Sequence, residues 1–118
     1  MKALSSIFTL LVLLAGTGQV TANEEFLQHG RYIFFAAGCI SCHTVDLPLA
    51  GGRAIDSPFG TFYGPNITPH PEYGIGNWTQ KDLIRALHEG ISPEGEHYYP
   101  AFPYLSFTRM TRRDIMAL

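Results

Sequence analysis

The sequence predicts a small all-α domain of three main helices joined by long loops, with the last helix truncated. Two patterns carry that expectation. Apolar residues recur at helical spacing in three separated stretches, and the first two stretches are linked by a segment punctuated throughout by glycine and proline. A third observation, Cys39-Ile40-Ser41-Cys42-His43 just after the first helical stretch, indicates what such loops would wrap.

The 118 residues suit one domain. Met1 and Lys2 give a short positive start, Ala3 to Gly16 is almost wholly apolar, and Val20-Thr21-Ala22 offers small residues for cleavage. This layout is that of a secretory signal peptide over residues 1–22, with the domain occupying 23–118. The apolar run is short for a membrane span, which wants about 20 residues. The formal net charge of −2 and one small basic cluster, Arg109, Arg112 and Arg113, give no stripe for nucleic acid, so no nucleic-acid partner is expected.

Glu24 to about Ala37 reads as the first helix, with Phe26, Leu27, Tyr32, Ile33 and Phe34 on its apolar face and Gly38 after its end. Thr44 to Trp78 reads as loop, and a loop of that length fits a compact domain only if it encloses something other than protein. Thr79 caps a second helix, with Asp82 three residues on, Leu83, Ile84 and Leu87 facing inward and Gly90 as the stop. A loop rich in proline and aromatics spans Ile91 to Arg109. Thr111 and Asp114 then open a third helix with Ile115, Met116 and Leu118 on its apolar side. Barely two turns of it are present, so the parent protein is expected to continue past Leu118.

C-x-x-C-H is the signature of c-type haem attachment. Two thiols about one helical turn apart can add to the two vinyl groups on one haem edge. The histidine that follows then reaches the iron as proximal ligand. Cys39, Cys42 and His43 are therefore expected to hold one covalently attached haem c, and the export signal agrees. A dithiol redox motif would need a preceding strand, a zinc site would need two further ligands at regular spacing, and a disulfide across so short a loop would stabilise little.

With that motif placed, Gly51-Gly52, Pro58-Phe59-Gly60, Pro65-Asn66-Ile67-Thr68-Pro69, Gly74-Ile75-Gly76, Trp78 and Tyr99-Pro100-Ala101-Phe102-Pro103-Tyr104 follow in order. The ordered set resembles the cytochrome c subunits of membrane-bound alcohol, gluconate and aldehyde dehydrogenases, over nearly all of the chain after the leader. The resemblance implies a small, class I-like cytochrome c fold wrapped around one haem. It implies an electron carrier rather than an enzyme, acting between a dehydrogenase subunit and a downstream acceptor of the respiratory chain. The expected place is the bacterial periplasm or the periplasmic face of the inner membrane, with any membrane association supplied by a region beyond Leu118 or by a partner. Within it, a carbonyl of the Gly64-Pro65 segment is expected to accept a hydrogen bond from the outer nitrogen of His43. Trp78 either donates its indole N–H to a haem propionate or packs on the haem edge. Asn66 and Thr68 either reach a propionate or cap a turn. Arg109, Arg112 and Arg113 either steer docking or solvate a helix start.

The sixth iron ligand is where the chain departs from the family pattern. A methionine often stands where this sequence has Phe102. Met110, between the aromatic loop and the last helix, is the expected replacement. Met116 and His97 are the alternatives, and His29, His70 and His88 read as surface residues. With no sixth ligand, Phe102 would wall an open pocket, and the haem would bind gas or turn over peroxide.

Overall fold

The computed structural model describes residues 18–118, with side chains from Asn23 onward. Helix α1 spans Gly18–Ala36. It begins before the expected Glu24 because no proline precedes that residue in the described chain, and extending a helix already nucleated costs little. Of the expected leader, residues 1–17 lie outside the described residues and 18–22 belong to α1. The helix ends where Gly38 turns left-handed (φ 72°), and the same residue starts α2, Cys39–His43.

The buried side of α1 is narrower than its composition suggests. Phe26, Ile33 and Phe34 are half-buried, whereas Leu27 and Tyr32 are 56% and 70% exposed. Each of those two lies one position, and so about 100° of turn, from an inward residue. At Gly30 the helix meets the last helix, α4 (Arg112–Ala117), so closely that a Cβ would overlap the Ala117 carbonyl. His29, expected on the surface, instead sits half-buried one residue before this crossing, with Nε2 2.7 Å from Asp114 Oδ1.

Helix α3, Gln80–Glu89, and helix α4 start alike. In each, the threonine hydroxyl accepts the aspartate N–H (3.2 Å) and the aspartate carboxylate accepts the threonine N–H (2.9 Å). Gly90 in the left-handed region (φ 66°) stops α3. A 3₁₀ turn, Tyr104–Ser106, packs against α3, and α3 in turn touches α4.

The segment expected to be loop throughout contains an antiparallel hairpin, β1 (Ala54–Ser57) and β2 (Gly60–Tyr63), with Ala54 opposite Tyr63 and Ser57 opposite Gly60. The fold is thus predominantly rather than wholly α-helical. Pro58 and Phe59 form the tip, and Ser57 Oγ ties it by donating to Gly60 O (2.8 Å) and accepting from Phe59 N–H (3.1 Å). Phe62 anchors the hairpin by stacking on Tyr99, with ring centroids 4.3 Å apart.

Among the described residues, Ala86 and Ile115 are the only fully buried apolar side chains. Leu83, Ile84, Leu87, Phe102 and Phe107 are all half-buried.

Candidate haem-attachment site

Cys39 and Cys42 stand three residues apart on α2, one turn of the same face, and both thiols are free. Burial pushes the Cys39 thiol up, and the neighbouring Cys42 adds to the shift. Among the described residues no strand precedes α2, as a βαβ dithiol motif would require. Nor is any group of three His, Cys, Asp or Glu side chains among them placed to hold a metal ion, so the zinc alternative finds no support.

His43 ends α2, and its imidazole is held from outside. Nδ1 lies 2.7 Å from the Pro65 carbonyl. A carbonyl can only accept, so Nδ1 carries the proton and Nε2 presents its lone pair on the other side of the ring, the arrangement an iron ligand needs. The His43 carbonyl accepts the Gly51 N–H (2.8 Å), and the Gly52 N–H donates to Gly64 O (2.8 Å). Three segments distant in sequence therefore close on one histidine. They fit because Gly64 has no side chain: a Cβ there would overlap the Cys42 carbonyl.

The other expected residues distribute as follows. Asn66 Oδ1 accepts from the Thr68 N–H (2.8 Å) and hydroxyl (2.7 Å), the turn-capping role. Trp78 is half-buried directly before the α3 cap and donates its backbone N–H to Ile75 O (3.0 Å). Phe102 belongs to a ring cluster, edge-on to Tyr98 (5.5 Å) and 5.9 Å from Phe107. Met110 lines a cleft of about 380 Å³ together with Ile33, Ala37, Pro103 and Phe107. Ala37, the last α1-side residue of that lining, is two residues before Cys39, and Cys39, Cys42 and His43 are not themselves part of the lining. Met116 is half-buried on α4, and His97 is exposed, its backbone bridged to Ile91.

Sequence reasoning missed His88. It is half-buried, and its Nε2 donates to the Met110 carbonyl (3.0 Å). The missed signal was spacing: residue 88 lies four after Ile84 and so on the inward face of α3. His70 is exposed as expected, although its Nδ1 accepts from the Glu72 and Tyr73 N–H groups.

The residues present fit a c-type haem. Two free thiols share one face, one imidazole is oriented with its ligating nitrogen free, and among the described residues only two apolar side chains are buried while many others stay half-exposed. A domain this small ordinarily requires a cofactor or staple to complete its core.

The family described as cytochrome c matches residues 27–118. The cytochrome c subunit of the quinone alcohol dehydrogenase of Gluconobacter oxydans is 41% identical, over 99% of this chain and 25% of its own length. A subunit of the nicotinate dehydrogenase of Pseudomonas putida is 51% identical, over 81% of this chain and 8% of its own. A dihaem cytochrome c-type protein of Cereibacter sphaeroides is 47% identical, over 92% of this chain and 43% of its own. The chain thus spans less than half the length of each of these relatives.

Proposed function

The chain belongs to the cytochrome c family, and from that premise we propose that it carries single electrons on one haem c, passing them from a dehydrogenase toward a respiratory acceptor. The observation that carries the reading is the His43 ring, held through Nδ1 by Pro65 O at 2.7 Å beside two free thiols one turn apart. Bound there, the group supplies an iron that alternates between ferric and ferrous. Cys39 and Cys42 would hold it covalently, and His43 and Met110 would supply its two protein ligands to iron. Apolar side chains that include Phe102 keep water out, which favours the reduced state. Trp78 would contact the haem, either by packing on its edge or by donating its indole N–H to a propionate. Asn66 holds the turn that follows Pro65.

A dehydrogenase partner is supported by the names of the relatives, which are subunits of alcohol and nicotinate dehydrogenases. Export to the periplasm rests on the leader-like residues 1–22. Among the described residues no helix is long and apolar enough to cross a membrane.

The test is a mass measurement and redox titration of exported protein. One haem per chain on the Cys39–Cys42 peptide, titrating as a one-electron couple, is expected. A colourless product without haem mass would overturn the reading. Peroxide turnover by the reduced or oxidised holoprotein would favour the open-iron alternative instead.

A further inference from the structure

The loop that ends in Met110 is fastened to one turn of α3. At its near end the Tyr98 N–H donates to Gly90 O (2.7 Å). In its middle the Tyr104 ring lies against Gly90 so closely that a Cβ at 90 would come within 2.6 Å of it. At its far end His88 Nε2 donates to Met110 O (3.0 Å). Met110 also donates its own N–H to Phe107 O (3.0 Å) and directly precedes the Thr111–Asp114 cap. Its backbone is therefore fixed on both sides, and among the described residues the only side chain bonded to it is that of His88.

From this geometry we infer that His88 is a positioning residue, a latch that holds Met110 over the cleft as sixth iron ligand; the inference rests on the assignment of Met110 to that role. The latch works through the backbone and leaves the thioether free to face the cleft that Met110 shares with Ile33, Ala37 and Phe107. The sulfur–iron bond is weak, so its occupancy depends on how firmly the loop is held. Loss of one hydrogen bond, on the order of 1 kcal/mol, corresponds to about a fivefold rise in the open form.

The test compares full-length holoproteins: unchanged, His88→Leu, His88→Gln, His88→Asn and Met110→Ala. The glutamine amide nitrogen reaches about as far as Nε2, and that of asparagine falls short of it. Haem per chain by mass reports assembly. The weak far-red band of ferric iron–methionine bonding and carbon monoxide uptake after dithionite reduction report the ligand. His88→Leu is expected to keep its haem, lose part of the band and take up carbon monoxide about fivefold more readily. His88→Gln should match the unchanged protein. If Met110→Ala opens the iron while His88→Leu behaves as unchanged, the latch is refuted and the ligand stands. If Met110→Ala leaves band and carbon monoxide exclusion intact, Met110 is not the ligand and the latch falls with it. Should His88→Leu fail to assemble, the Gln and Asn variants decide: equal band and uptake in the two would refute the latch, and an opened iron in Asn alone would support it.

Discussion

Gly64 lies where its backbone meets that of Cys42, beside the carbonyl that orients His43. Gly64→Ala must separate two main chains with no side chain between them to yield. We expect a loss of about 1–3 kcal/mol in chemical denaturation, with a lower yield of covalently loaded protein. Asp114 supplies a second prediction. The Thr111 hydroxyl, then His29, then the Thr111 N–H hold its carboxyl down at about 2. A folded-state value below the ordinary carboxylate value near ~3.9 means that the charged form stabilises the fold. That contribution is complete above the ordinary value and disappears as pH falls through about 2. Acid unfolding followed by circular dichroism between those limits should be shallower in Asp114→Asn. The capping role of Asp114 and the place of the Gly64-Pro65 segment beside His43 were legible from the sequence, whereas the His29 contact and the close approach of Gly64 to Cys42 were not. Both are tertiary contacts between segments far apart in the chain, which no local pattern encodes, and His29, the second partner of Asp114, reads as a surface residue in the sequence.

At the scale of elements, α3 and α4 were legible because a capping box leaves a fixed trace, threonine and then aspartate three residues later. Thr79→Ala should lower the unfolding free energy by about 1 kcal/mol through loss of that box. The hairpin left no comparable trace. Its strands are four residues long, too short for alternation to stand out, and its turn uses the proline and glycine that also mark irregular loop. Its anchor is a tertiary contact, Phe62 on Tyr99, that no local pattern encodes. A double-mutant cycle of Phe62→Ala and Tyr99→Ala should give a coupling of about 0.5–1.5 kcal/mol. The extent of α1 was misjudged because composition does not mark where a helix begins in the absence of a cap.

Across the whole molecule, the motif and the glycine-rich wrapping pointed together to an enclosed group. The packing agrees, with only two buried apolar side chains among the described residues and many left half-buried. A Cys39→Ala, Cys42→Ala chain should therefore keep much of its far-UV helical signal and lose near-UV structure, the signature of a core without fixed packing. A cooperative, native-like melt of that variant would contradict this account of the core. The histidine that follows those cysteines is fixed by ring and backbone together, Nδ1 to Pro65 O and the carbonyl to the Gly51 N–H. An imidazole held at Nδ1 on an anchored backbone would have little room to swing when a metal bound beside it gained or lost one unit of charge. Dipoles aligned in advance need no rearrangement at the moment of transfer. On the proposed function, the barrier from nuclear motion around the iron would thereby be kept low, and the donor and acceptor forms of the protein would be nearly the same shape.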